Sequence, residues 1–201
     1  RSVVFLDLRH RRTFRPGVSS THAGAASLAY LDAAIALARR GTLSALITGP
    51  VTKWAVEGAH PHFVGQTEYL AAAFGVSHPV MMFVSPRLRV ALLTRHLALR
   101  DGPSSVTPSL VRRTIRTVVE GLQGPCGIRR PRVAVCGLNP HAGEQGLFGT
   151  EERRALLPVL RDLRRRGLRL EGPFAADGFF AAARDSAAVI CWYHDQALIP
   201  F

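Results

Sequence analysis

Three histidines have the residue type and the placement for metal chemistry: His96, His141 and His194. Each stands shortly after an apolar run rich in β-branched residues, at the kind of strand end where open α/β sheets place their ligands. Imidazole is a common ligand of zinc and other divalent ions, and three protein ligands leave one coordination position open for a substrate. A single histidine after a strand is more often a loop or packing residue. The residues alone therefore leave both interpretations open.

Three other polar segments could take part in chemistry. Lys53 ends the segment TGPVTK and could pair with a phosphate or carboxylate, transfer a proton, or be an ordinary surface lysine. Thr67 could cap a helix that opens at Gly65, or it could help to hold an anion there. Asp177 is a candidate carboxylate near the metal. The sequence contains no GxGxxG dinucleotide fingerprint and no P-loop.

Alternating strand and helix patterns predict the scaffold that must position these residues. Short apolar runs predict strands over Leu43–Thr48, Val80–Val84, Arg89–Thr94, Arg132–Leu138 and Ala187–Trp192. Apolar spacing and capping residues predict helices over Ala23–Arg40, Gly65–Phe74, Pro108–Leu122 and Glu151–Arg166. This alternation predicts an α/β fold with a largely parallel sheet, and the short turn at Pro86 indicates that some strands pair antiparallel.

The composition narrows the classes of function. The 201 residues are 47% hydrophobic and 20% charged, and no apolar stretch reaches the roughly 18 residues that would suggest a membrane span. The net charge of +12 is mostly an excess of arginine and would suit nucleic acid or an anionic substrate. No nucleic-acid reading module or aromatic platform accompanies this charge, which disfavours nucleic acid as a partner.

The cysteines indicate a reducing compartment. Cys126, Cys136 and Cys191 are odd in number and widely spaced, and two of them stand in apolar runs. We therefore expect reduced thiols and a cytoplasmic protein. The amino-terminal segment RSVVF is not typical of a signal peptide.

Several segments, in unbroken order from about Pro16 to Phe201, resemble the 4-hydroxythreonine-4-phosphate dehydrogenase family of the vitamin B6 pathway. They are ITGPVTK, GQTEYLA, MMFVSPRLRVALLTRHLALRD, GLNPHAGEQGLFGTEE, GPFAADGFF and CWYHDQALIP. The resemblance implies a three-layer α/β/α architecture like that of the isocitrate and isopropylmalate dehydrogenases, with two lobes around a mixed, largely parallel sheet. It also implies a homodimer whose active site is shared between the subunits.

The resemblance further implies a division of roles among the candidate residues. The metal ligands would be His96, His141 and His194, with one ligand reaching across from the other subunit. The catalytic positions would be Lys53, Asp177 and Asp195, and the substrate-binding positions would be Gln66 and Thr67. Lys53 or a neighbouring carboxylate is the expected proton-transfer group.

The cofactors and the reaction follow from the same resemblance. The metal would be a divalent ion, with zinc expected first and cobalt, magnesium or manganese as alternatives. NAD or NADP would accept the hydride. The substrate would be small, anionic and phosphorylated, and its secondary alcohol would be oxidised before the product loses carbon dioxide. No membrane partner is expected.

Two departures from the family pattern widen the choice of function. Gln66 replaces the histidine of the family's Gly-His-Thr-Glu motif, and glutamine cannot carry a proton at neutral pH. Phosphorylated sugar acids such as threonate or erythronate, or an aromatic cis-dihydrodiol, are therefore alternative substrates.

The family's GDPAGIGPE motif and its carboxy-terminal stretch are absent from residues 1–201, whose lobe boundaries the sequence does not resolve. We expect a partial dehydrogenase, with a catalytically inactive metal-binding protein as the alternative of another class.

Overall fold

The computed structural model describes residues 3–9, 13–95, 97–182 and 185–201. The chain forms two compact units, which divide between Pro79 and Val80. The predicted metal ligand His96 lies outside the described residues. None of the helices in the described ranges is long and apolar enough to cross a lipid bilayer.

The first unit is helical. Its elements are α1 (Thr21–Arg39), α2 (Lys53–Glu57) and α3 (Gln66–Ala73). Ser20 caps α1 by accepting a hydrogen bond from the Ala23 amide, and the helix buries Leu31 and Ile35. Helices α1 and α2 lie close together at Gly24, where an added Cβ would stand 2.0 Å from the Ala55 carbonyl oxygen. Only glycine permits this approach.

The strand predicted over Leu43–Thr48 is wrong, because the structure assigns no strand to this segment. Ile47 is fully exposed within the described part of the chain, and Leu43 and Leu46 are only partly buried. A strand forms only when a neighbouring strand accepts and donates its main-chain hydrogen bonds, and β-branched composition cannot supply that neighbour.

The second unit contains a five-stranded sheet. Its strands are β1 (Met82–Val84), β2 (Arg89–Leu92), β3 (Arg132–Cys136), β4 (Arg169–Phe174) and β5 (Ala188–Cys191). They lie in the order β1-β2-β5-β3-β4, with β1 antiparallel to β2 and the other neighbours parallel. Ile190 at the centre pairs with Ala91 on one side and with Val135 on the other. The expected mixed, largely parallel sheet is confirmed.

Helices cover both faces of this sheet. The helices of the second unit are α4 (Gly102–Ser105), α5 (Pro108–Gln123), α6 (Leu157–Arg165), α7 (Ala176–Ala181) and α8 (His194–Leu198). One sheet face, which includes Val135 and Ile190, packs against α5 and α6. The opposite face, which includes Val189, packs against Phe179 of α7 and Ala197 of α8. Alternate strand residues thus enter two separate cores, and the expected α/β/α layering is confirmed in this unit.

Two elements of the second unit differ from the predictions. The helix predicted over Glu151–Arg166 opens with a π-helical turn over Glu152–Leu156, and regular α6 begins at Leu157. Strand β4 was not predicted, because its Gly172-Pro173 pair is more typical of a turn. Its position at the edge of the sheet explains why proline is tolerated there, since an edge strand can leave one side unpaired.

Candidate active site

The carboxyl ends of three neighbouring parallel strands form one edge of the sheet, and two predicted metal ligands lie there. His141 follows β3, and His194 is the first residue of α8, directly after β5. Strand β5 lies between β2 and β3. The prediction that a strand precedes each histidine is confirmed for His141 and His194. His96 lies outside the described residues.

The loop that carries His141 has an unusual backbone. Residues 141–145 all have positive φ, between 39° and 83°, and their ψ values describe a left-handed turn. Only one of the five, Gly143, is a glycine. The left-handed conformation costs other L-residues roughly 1–2 kcal/mol each, so contacts from neighbouring elements must hold this turn.

A buried carboxyl group contacts the backbone that leads into this turn. Glu152 is 2% exposed, and its Oε1 accepts hydrogen bonds of 2.8 Å from the main-chain amides of Leu138 and Asn139. The side-chain amide of Asn139 donates to Glu152 Oε2 at 2.9 Å and to Glu151 Oε2 at 2.8 Å. The hydrogen bond from Asn139 lowers the pKa of Glu151. Sequence reasoning missed Glu152 and Asn139, although both stand in the segment GLNPHAGEQGLFGTEE.

A cleft of about 510 Å³ lies beside this turn. It brings together three of the residues predicted from the sequence: His141, Asp177 and Asp195. Asp177 lies in the first turn of α7 and Asp195 in the first turn of α8, where helix dipoles favour negative charge. All three side chains are exposed to solvent and can reach a ligand in the cleft.

His194 faces a second cleft of about 250 Å³, next to the first. Its Nδ1 lies 2.8 Å from Asp195 Oδ1, and Asp195 lines both clefts. Within residues 3–9, 13–95, 97–182 and 185–201, no three His, Cys, Asp or Glu side chains are close enough to share a metal ion. The chemistry of the donors at this edge, two imidazoles and two carboxylates, suits a divalent ion. Their described positions do not form a metal centre.

The remaining predicted site residues lie in the first unit. Lys53 opens α2 and is exposed, and its Nζ would stand 3.9 Å from a Cβ added to Gly65. Gln66 opens α3 and donates a 3.2 Å hydrogen bond to the Gly49 carbonyl. Thr67 is not the cap of this helix, because Gly65 occupies the N-cap position. Gln66 also lines a cleft of about 240 Å³ with the TGPV part of the segment TGPVTK.

Comparison with known proteins places these features in a family. The family model described as "Pyridoxal phosphate biosynthetic protein PdxA" matches residues 2–201. A 4-hydroxythreonine-4-phosphate dehydrogenase of Desulfosudis oleivorans is 43% identical over 188 residues, which are 92% of this chain and 56% of that protein. The chain therefore spans a little over half the length of the curated relatives that it matches.

Solved structures agree with the sequence comparison. The crystal structure of a 4-hydroxythreonine-4-phosphate dehydrogenase from Burkholderia phymatum has a TM-score of 0.82 and 41% identity, covering 92% of this chain and 56% of that one. A terephthalate 1,2-cis-dihydrodiol dehydrogenase from Burkholderia xenovorans has a TM-score of 0.74 and 34% identity, covering 93% of this chain and 60% of that one. The chain therefore belongs to the PdxA family of pyridoxal phosphate biosynthetic proteins.

Proposed function

We propose that the protein acts in vitamin B6 biosynthesis as a metal-dependent, NAD-linked dehydrogenase. Its substrate would be 4-phosphohydroxythreonine, whose secondary alcohol is oxidised before the product is decarboxylated. The observation that carries the proposal is the cleft at the carboxyl ends of the strands, where His141, Asp177 and Asp195 come together in a chain of this family.

The donor chemistry of the cleft supports a divalent metal, which we propose to be zinc held by His96, His141 and His194. A bound divalent ion supplies Lewis-acid polarisation of the alcohol oxygen, and NAD or NADP supplies the acceptor for the hydride. Free cysteines, two of them buried, fit the reducing cytoplasm proposed for the enzyme.

The chain's own residues would bind the substrate and move its proton. Asp177 and Asp195 are exposed carboxylates on the cleft, so each can accept the proton of a substrate hydroxyl. The left-handed turn fixes where the imidazole of His141 stands. The roles of Lys53, in proton transfer, and of Gln66 and Thr67, in substrate binding, rest on the family resemblance, as does the shared site of a homodimer.

A related dehydrogenase with another substrate is the second candidate. Gln66 supports it, because its amide is bonded to the Gly49 carbonyl and offers no titratable group. The likeness to a dihydrodiol dehydrogenase also supports it. An aromatic cis-dihydrodiol or a phosphorylated threonate or erythronate would then occupy the cleft.

Steady-state kinetics with zinc and NAD on three substrates test the proposal: 4-phosphohydroxythreonine, phosphorylated threonate and a cis-dihydrodiol. We expect turnover of the first. Turnover of only one of the others would overturn the vitamin B6 assignment and leave the dehydrogenase chemistry in place. Zinc binding without NAD affinity or turnover would instead support an inactive metal-binding protein. Sedimentation of the same preparation tests the homodimer.

A further inference from the structure

Two rare backbone features lie close together after β3. The left-handed turn at residues 141–145 is followed by the π-helical turn Glu152–Leu156, which closes with a hydrogen bond from the Leu157 amide to the Glu152 carbonyl. Single π-turns are frequent at functional sites, and strained backbone persists only where the surroundings enforce it. The side chain of Glu152 joins the two features.

The Glu152 side chain is the only buried carboxyl among the residues that the structure describes. Burying such a group is costly unless hydrogen bonds replace its water. No ion pair to Glu152 is found in the described ranges, and its donors are the amides of Leu138 and Asn139 and the Asn139 side chain. All of them belong to the segment that leads into the left-handed turn.

The turn also encloses this carboxyl sterically. A Cβ added to Gly143 would stand 2.8 Å from Glu152 Oε2, and one added to Gly137 would stand 3.1 Å from Oε1. The backbone before the turn and the backbone within it therefore both lie against the same carboxyl group. An apolar side chain of similar size could fill the space, but it could not bond the three N–H groups.

We propose that Glu152 is a positioning residue, which holds the turn so that His141 faces the cleft before any ligand arrives. The inference rests on the proposed function for what His141 then binds. Its structural part, that Glu152 sets the conformation of residues 137–149, stands independently of that function.

The test uses Glu152→Gln, which keeps the size of the side chain. One carboxyl oxygen becomes an NH₂ group, which must then face an N–H donor of Leu138 or Asn139. Glu151→Gln is the matched control. Glu151 also accepts a hydrogen bond from the Asn139 side chain, but it accepts none from the main-chain amides of Leu138 and Asn139. Amide hydrogen exchange is measured without metal, and zinc affinity is measured by calorimetry.

We expect exchange at Leu138 and Asn139 to become roughly tenfold faster in Glu152→Gln, as for the loss of one hydrogen bond. Zinc affinity should fall on the order of tenfold, as when groups that orient a metal ligand are removed. Protection of the β3 and β5 amides should stay unchanged. Glu151→Gln should remain within about twofold of the unmodified chain in both measurements, since it leaves the two main-chain bonds intact.

Two results would overturn the proposal. Unchanged exchange over residues 137–149 would show that Glu152 does not hold the turn, and equally faster exchange in β3 and β5 would show a general role in stability. If the unmodified chain binds no zinc, the proposed function fails, and the exchange data still decide the role of Glu152. Should Glu152→Gln not fold, Asn139→Ala removes the bond to Oε2 and must speed exchange over the same residues, or the proposal fails.

Discussion

The side-chain amide of Gln196 donates a 2.8 Å hydrogen bond to the main-chain carbonyl of Gly137, joining the loop after β5 to the loop after β3. The carbonyl oxygen of the same side chain accepts from the Trp192 amide at 2.8 Å. The hydroxyl of Thr94, after β2, donates to the Trp192 carbonyl at 2.6 Å. The ends of the three strands that precede the predicted metal ligands are thus joined by hydrogen bonds.

Replacing Gln196 with alanine should destabilise the second unit. The substitution leaves the Trp192 amide and the Gly137 carbonyl without their side-chain partner, in a part-buried position. We expect the free energy of unfolding to fall by about 1–3 kcal/mol. Urea unfolding followed by tryptophan fluorescence measures this, in a Trp54→Phe background so that Trp192 alone reports. Gln123→Ala, at an exposed helix end, is the control, and an equal loss in both variants would contradict the prediction.

Gly143→Ala should be more damaging than Gly167→Ala. Both glycines have left-handed φ, 83° and 90°, so both substitutions carry a backbone cost of roughly 1–2 kcal/mol. Gly167 has open space around an added Cβ, whereas Gly143 would place it against Glu152 Oε2. The clash should add about 1–3 kcal/mol.

Urea unfolding of the two glycine variants measures the effect of the clash. Both variants carry the same backbone strain, and only Gly143→Ala places a methyl group against Glu152. Similar midpoints would show that the carboxyl of Glu152 moves away from the added methyl group at little cost. Such a result would also weaken the view that the turn encloses Glu152 tightly.

His141→Ala should abolish zinc binding and leave the fold largely intact. The imidazole is exposed, and alanine keeps the Cβ that the left-handed backbone already accommodates, so stability should change by no more than about 0.5 kcal/mol. Calorimetric titration with zinc measures the loss. His60→Ala, an exposed histidine of the first unit, is the control and should bind as the unmodified chain does. Stoichiometric zinc in the His141 variant would refute its assignment as a ligand.

Local signals explain which parts of the fold could be predicted. Helix α5 begins where Thr107 caps it and Pro108 occupies its first position, and both signals are contained in two neighbouring residues. Strands β2, β3 and β5 are buried on both faces of the sheet. Their sequences are therefore continuous apolar runs, which can be recognised as strands without an alternation of polar and apolar residues. The segment Leu43–Thr48 has the same composition without a partner strand in the described structure, and pairing is not a local property.

The candidate site was predicted in part for a similar reason. Strand ends identify His141 and His194, because a histidine after an apolar run is visible in the sequence. The left-handed turn could not be predicted, since four of its five residues ordinarily avoid that conformation. Glu152, the residue proposed to hold the turn, lies beyond it in the sequence and reaches Leu138, Asn139 and Gly143 only in the folded chain. Contacts of this kind leave no periodic pattern.

Tyr69 should lose its proton at a higher pH than an ordinary tyrosine, and the free energy of unfolding should fall when it does so. Its hydroxyl donates to Asp32 Oδ1 at 2.6 Å, and this bond, with burial and the negative charge of Asp32, raises the pKa of Tyr69 to about 12. The unfolded phenol titrates near 10, so the stabilisation is complete below about pH 10 and is lost as the pH rises through 12.

Absorbance of phenolate at alkaline pH follows Tyr69 directly. The unmodified chain should show a step centred at about pH 12, which Tyr69→Phe removes. Asp32→Asn should move the step to lower pH, because the amide keeps a hydrogen-bond acceptor but carries no charge. A late step that persists in Tyr69→Phe would belong to another tyrosine and would contradict the assignment.

In the native chain, a thiol reagent should label Cys126 alone. Cys126 is exposed, whereas Cys136 and Cys191 are buried on the neighbouring strands β3 and β5. The hydrogen bond with Cys136, together with burial, raises the pKa of the Cys191 thiol, so its reactive thiolate is suppressed. Cys126→Ser should therefore take up no reagent when folded and two equivalents in denaturant, since the sequence holds three cysteines. Labelling of the folded variant would show that the carboxyl ends of β3 and β5, which carry Cys136 and Cys191, open in the native state.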